Sequence, residues 1–135
     1  MNHPSARDAS DEALIQSKGK TAPRVTPTDI AANIISEHFF TAAEGVTGAA
    51  WVRVIDEQAG SINAFDAAPP PVSLGLLTFC VLVLRNGFTV TGESACASPE
   101  NFDVEIGRKI ARDNAVQKVW PLMGYELKQR LSERA

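Results

Sequence analysis

The chain has little of what short functional motifs are built from. Its 135 residues include two cysteines, two histidines and one tyrosine. The cysteines, Cys80 and Cys96, form no CxxC pair and join no Cys/His cluster, which excludes a zinc-finger layout and fits a reducing compartment. No GxSxG, HExxH or P-loop pattern occurs, so those hydrolase, zinc-protease and nucleotide-phosphate signatures are missing. Positive charge is not in excess: 13 Lys and Arg stand against 16 Asp and Glu, a net charge of -3. Such a balance gives no overall pull toward nucleic acid or an anionic membrane. No apolar run approaches the ~20 residues needed to span a bilayer. The opening MNHPSARDASDEALIQSKGK has no apolar core of the kind a secretory leader needs. The expectation is a cytoplasmic chain, one domain by length, with no membrane, metal or cofactor implied.

What is present divides the chain in three. Residues 1–25 are polar and mixed in charge, and read as a flexible arm in which DEALIQSKG supplies a turn or two of helix at most. From residue 26 to 135 runs a single small α+β domain. TPTDIAANIISEHFFTAAEGV opens it with Thr28 as N-cap and Ile30, Ile34 and Ile35 at helical spacing, predicting a helix over 28–39. His38 reads as a partly buried histidine bonded to backbone. AWVRVI alternates as a short strand. A proline-rich linker follows at about 56–73, through Gly60 and the Pro69-Pro70-Pro71 run.

The strongest local signal is LGLLTFCVLVLRNGFTVTGESAC. Asn86-Gly87 fits a two-residue type I′ hairpin turn. That loop pairs Val83 with Val90 and makes Phe79, Val81, Val83, Phe88 and Val90 the core face. Thr78, Cys80, Leu82 and Leu84 then lie on the other face, with Thr89, Thr91 and Glu93. Cys96 falls opposite Leu77 and differs in parity from Cys80, so no cross-strand disulfide forms. The Cys80/Leu82/Leu84 face still needs a cover: the N-terminal helix, a strand from 51–55, or another subunit. A small core of this kind favours a homo-oligomer, a dimer first.

A long C-terminal helix follows. Ser98, or alternatively Asn101, caps it, and Pro99 takes the first turn. Ile106, Ile110 and Val119 line one side beside a small-residue ridge of Gly107, Ala111 and Ala115, and a solvated face carries Glu105, Arg108, Lys109 and Arg112. Pro121 is expected to kink or interrupt the helix near Trp120. The fold class is α+β: an N-terminal helix, an antiparallel hairpin or three-stranded sheet, and a long kinked helix packed on the sheet.

Two blocks, TPTDIAANIISEHFFTAAEGV and LTFCVLVLRNGFTVTGESACASPENFDVEIGRKIARDNAVQKVWPLMGYELKQRL, closely resemble a family of small tailed-bacteriophage and prophage proteins. These carry the labels gene product 49 or gene 66. The resemblance covers 26–50 and 74–132, and its NGF, GESAC, NFD and GRKIA pieces are specific in combination. It implies a phage-encoded protein acting in the host bacterial cytoplasm. It implies no reaction, so no catalytic residue carries over.

GESACASPENFD is the candidate site, with Glu93, Ser94, Cys96, Asn101 and Asp103 as binding residues. Gly92 either marks a bulge or lets a ligand approach the backbone. Glu93, Glu100, Asp103 and Glu105 make this helix start a poor phosphate cradle. The leading expectation is a non-enzymatic accessory factor that binds a host protein or a small molecule, in host takeover or counter-defence. An enzyme is the alternative, with Cys96 as nucleophile or Glu93, Asp103 and Glu105 as base or magnesium ligands. It requires His38 or a basic side chain to fold onto them. A structural or nucleic-acid role through Arg108, Lys109, Arg112 and Lys118 is the third class, disfavoured by the mixed charge.

Overall fold

A computed structural model describes residues 5–56 and 69–134. Most of the proline-rich linker lies outside the described residues. The architecture is α+β, as expected: a three-stranded antiparallel sheet of order β1-β2-β3 with a 30-residue helix lying across one face. The strands are β1 (Ile34–Thr41), β2 (Leu77–Leu84) and β3 (Thr89–Ala95). The helices are α1 (Ala6–Ser17), α2 (Pro27–Asn33), α3 (Ala42–Asp56) and α4 (Val104–Glu133).

Up to Asp56 the chain departs from the sequence reading. A 12-residue helix, α1, stands where a flexible arm was expected. Helix α2 starts at Pro27, capped by Thr26, two residues before the expected Thr28. Thr26 Oγ1 accepts from Asp29 N–H at 3.1 Å and the Asp29 carboxylate accepts from Thr26 N–H at 2.9 Å, a reciprocal cap with Pro27 at the first position. The helix then stops at Asn33, and residues 34–41 form β1 instead of its second half. The isoleucine spacing suits a helix, but pairing with β2 satisfies the backbone of both strands, and tertiary context overrides a local pattern. AWVRVI is helical, not a strand, because Thr41 and Glu44 cap α3 from upstream. Thr41 N–H donates to Glu44 Oε1 at 2.9 Å and Glu44 N–H to Thr41 Oγ1 at 3.2 Å. Those bonds hold the Glu44 carboxyl below its ordinary range.

The hairpin is where it was expected, but its register is shifted by one. Gly87 takes φ 88°, its N–H donates to the Leu84 carbonyl at 2.9 Å, and Leu84 N–H closes onto the Phe88 carbonyl at 2.9 Å. The loop is therefore three residues long, Arg85-Asn86-Gly87, with glycine at the left-handed position. Leu82 now faces Val90, and Cys80 faces Gly92. A one-residue slip turns every side chain of a strand over. The buried face is Thr78, Cys80, Leu82 and Leu84 with Val90, while Phe88 is 57% exposed and Val83 only half-buried. The expected core face is thus the outer face, where Phe40 of β1 stacks on Phe79 with ring centroids 5.5 Å apart. Both cysteines are free. They share parity after all, but Cys96 aligns with Leu76, four residues or ~13 Å along the ladder from Cys80.

Helix α4 is the cover that the Cys80/Leu82/Leu84 face required. Its cap is Asp103, whose Oδ1 accepts from Ile106 N–H at 2.9 Å; Ser98 and Pro99 instead open a separate 3-10 turn, Pro99–Asn101. Gly107, Ala111, Ala115 and Val119 form one buried ridge at four-residue spacing. Ile106 and Ile110, expected beside that ridge in the core, are 58% and 44% exposed. The small ridge lets the helix sit almost on the strand backbone: a Cβ on Gly92 would overlap the Ala111 carbonyl and the Ala115 nitrogen. Gly92 is neither a bulge nor a ligand approach but the crossing point of helix and sheet. Arg112 also leaves the solvated face, whereas Arg108 stays exposed. Arg112 Nε donates to Glu37 Oε2 at 2.7 Å across β1, and Arg108 lies 5.6 Å from the Phe39 ring centroid. The helix runs on through Pro121 without a break.

Candidate functional site

The ends of β2 and β3 and the first turns of α4 enclose a cleft of about 140 Å³. It is where the sequence-predicted residues converge. Ser94, Cys96, Asn101 and Asp103 all line it, brought together because the 3-10 turn Pro99–Asn101 folds the chain back between strand and helix. Glu93 does not take part. Strand alternation sends it away from Ser94; its backbone carbonyl accepts from Asn114 Nδ2 at 2.8 Å and its carboxylate lies 3.9 Å from Lys118 Nζ.

The members of the cleft have local duties. Cys96 N–H extends the ladder to the Leu76 carbonyl at 3.0 Å, and its thiol donates to the Ser98 carbonyl at 3.2 Å. Asp103 caps α4. The polar groups therefore form one rim of the cleft. Sequence reasoning missed the opposite wall, made of Leu76, Phe102, Ile106 and Ile110. The two isoleucines looked like core, and only the small-residue ridge one position away shows that they must project sideways.

The catalytic arrangement considered for this region is not assembled in it. His38 is in register with Val81 and its Nε2 lies 3.1 Å from Ser36 Oγ, in the outward-facing row of β1. Among the described residues, no group of three or more His, Cys, Asp or Glu is placed to hold a metal ion. Arg112 pairs with Glu37, Lys109 with Asp113 at 2.9 Å, and Lys118 with Glu93, so these cations are engaged within the fold. No described helix is long and apolar enough to cross a membrane.

The other cysteine behaves differently. Cys80 is fully buried under α4, and burial, reinforced by the nearby Glu37 charge, pushes its thiol up to about 11. It is a small core residue, inert by its surroundings.

Comparison with curated proteins and with solved structures finds no match. A family model does match, over residues 25–131, which takes in α2, the sheet, all but the last two residues of α4 and the whole cleft, and leaves out α1. The chain belongs to the phage protein (N4 Gp49/phage Sf6 gene 66) family.

Proposed function

We propose that this phage protein works by binding, as a non-enzymatic accessory factor that holds a host protein in the host cytoplasm. The cleft at the start of α4 takes in one apolar side chain of that partner. The observation that supports this reading is the combination of size and exposure. At about 140 Å³ the cleft is close to the ~150 Å³ cavity that admits a benzene ring, and well short of the ~300 Å³ or more of small-molecule pockets. Ile106 and Ile110 line it while remaining 58% and 44% exposed, with the hydrogen-bonding groups of Ser94, Cys96 and Asn101 beside them. An apolar seat rimmed by polar groups is the anatomy of an interface anchor point.

The test is co-purification from infected host cells. Ile106→Glu/Ile110→Glu alters exposed positions, so folding should be kept while the partner is lost. A partner retained at the wild-type level by the folded double variant would reject the cleft as the site.

A second copy of the chain is a further partner that one surface favours. Trp51 and Val52 of α3 and Val72 of the adjoining 3-10 turn, Val72–Leu76, are 42%, 58% and 79% exposed. Light scattering across micromolar concentrations tests this; a dimer is expected, and a strict monomer would dismiss it.

A further inference from the structure

In the sheet only β2 has a strand on each side, so β1 and β3 both keep a free edge. Leu84 N–H bonds to the Phe88 carbonyl and Cys96 N–H to the Leu76 carbonyl, which turns the even-numbered residues of β3 toward β2. Thr89, Thr91, Glu93 and Ala95 therefore aim their backbone N–H and C=O groups away from the sheet. Among the described residues, only the Glu93 carbonyl of that outward row has a partner, Asn114 Nδ2 at 2.8 Å. Free edges are ordinarily blunted by a bulge, a proline or a lysine. β1 is guarded: its ladder shifts between Ile34 and Ser36, Glu44 takes the Thr41 N–H, and Arg112 holds the Glu37 side chain. β3, TVTGESA, pairs one-to-one with β2 along its length and has none of the three.

Helix α4 overhangs the β3 edge. Asn114 reaches the Glu93 carbonyl and Lys118 the Glu93 carboxylate, whereas Arg112 reaches β1 on the opposite side. The Lys118 contact, 3.9 Å between half-exposed side chains, contributes little and can yield. Ile106 and Ile110 continue the same row of α4 at four-residue spacing, and the cleft lies between them and Ser94 and Ala95. We infer that the host partner docks as an extended segment that adds to β3 as a fourth strand, with one aliphatic side chain dropped into the cleft. The edge presents a row of main-chain donors and acceptors, and another extended backbone is what matches such a row. The added residue opposite Ser94 turns its side chain to the same face as Ser94, toward the cleft of about 140 Å³. A second copy of β3 does not meet that requirement. Its residues on that face are Val90, buried under its own α4, Gly92, which has no side chain, and Ser94, which is polar. The docking rests on the proposed role of the cleft for its side-chain seat, and adds the edge as a separate requirement.

The full chain is screened against a yeast-displayed library of random decapeptides, and an enriched peptide is synthesised. Its binding is read by fluorescence anisotropy and by amide exchange in NMR spectra. The expected peptides share one aliphatic residue within a proline-free run, and the Thr91 and Glu93 N–H groups become protected on binding. Thr91→Pro removes an outward N–H without touching the β2 ladder and should weaken binding about tenfold or more, while Thr91→Val should bind within about twofold of the parent. Ile106→Glu/Ile110→Glu should weaken it as well. Loss by the isoleucine variant with full binding by a folded Thr91→Pro overturns strand addition and leaves the cleft as a seat. The reverse pattern supports the edge and removes the cleft. If Thr91→Pro does not fold, amide protection in the unaltered chain decides, and Thr91 and Glu93 left unprotected by the peptide overturn strand addition. So does a library that yields no enriched peptide, or protection of those amides in a dimer of the free chain.

Discussion

Gly92→Ala adds one methyl group at the place where α4 crosses the sheet. The added Cβ would overlap the Ala111 carbonyl oxygen and the Ala115 nitrogen, and would lie 2.9 Å from Ala115 Cα. These are backbone atoms of a continuous helix, so no side chain can rotate to make room. An ordinary carbon contact begins near 3.5 Å, so α4 must lift by on the order of 1 Å. A gap of that size forfeits a quarter to a half of each dispersion contact it opens. The contacts at stake join Ala111, Ala115, Val116 and Val119 to Cys80, Leu82 and Val90, the centre of the core. Overpacking ordinarily costs about 1–3 kcal/mol, and a rigid clash at the core's centre belongs at or above the top of that range, about 3–5 kcal/mol. Most of the stability of a small domain is of that order. Urea unfolding followed by circular dichroism reads the effect, with the melting temperature expected to fall by more than ~10 °C. Gly48→Ala in α3 is the control: nothing lies within 4 Å of its added Cβ, and a helical glycine replaced by alanine should gain about 0.5–1 kcal/mol. Should Gly92→Ala unfold within about 1 kcal/mol of wild type, the seat of α4 and the hairpin register would both be wrong.

Three further outcomes follow from the same geometry. Leu82→Asp puts an unpaired charge on the buried face and should abolish cooperative folding, whereas Val83→Asp on the outer face should unfold cooperatively; equal damage would restore the other register. Iodoacetamide should modify Cys96 alone in the native protein and both cysteines in denaturant, since Cys80 is fully buried with its thiol at about 11; prompt native labelling of Cys80 would mean that α4 does not cover it. The side-chain hydrogen bond from Arg24 holds the Glu12 carboxyl down at about 2, against an ordinary 4.5. A lowered folded pKa stabilises the docked α1 above about pH 4.5, and that contribution is lost as pH falls toward 2. With Trp51→Phe, Trp120 fluorescence should change across that window and Glu12→Gln should flatten the change; an unaltered profile would remove Glu12 from the docking of α1.

The sheet-and-helix frame was legible because Asn86-Gly87 marks a hairpin and a 3.6-residue pattern persists after it. Register was not, since β2 is apolar on both faces: Phe79, Val81 and Val83 match Cys80, Leu82 and Leu84 in any count of hydrophobicity. The choice rests on whether the loop holds two residues or three, and on Gly92, whose lack of a side chain decides which face a helix can reach. β1 hid behind isoleucines at helical spacing. α3 did carry a readable signal in Thr41-Ala42-Ala43-Glu44, a capping box upstream of AWVRVI. The polar rim of the cleft was legible as a cluster of small residues near a helix start. Its apolar wall and the docking of α1 were not, because they depend on how α4 is rotated and on Asp8 reaching Trp120 across 112 residues.

The binding role of the cleft is tested most directly through the thiol already in it. Cys96 carries a benzophenone after selective labelling of the native protein, and is irradiated in lysate of infected host cells. A discrete adduct with one host protein, absent when Ile106→Glu/Ile110→Glu is labelled to the same extent, is the predicted result. An adduct pattern identical in the two proteins, or no adduct with either, would contradict the proposal that the cleft holds a partner.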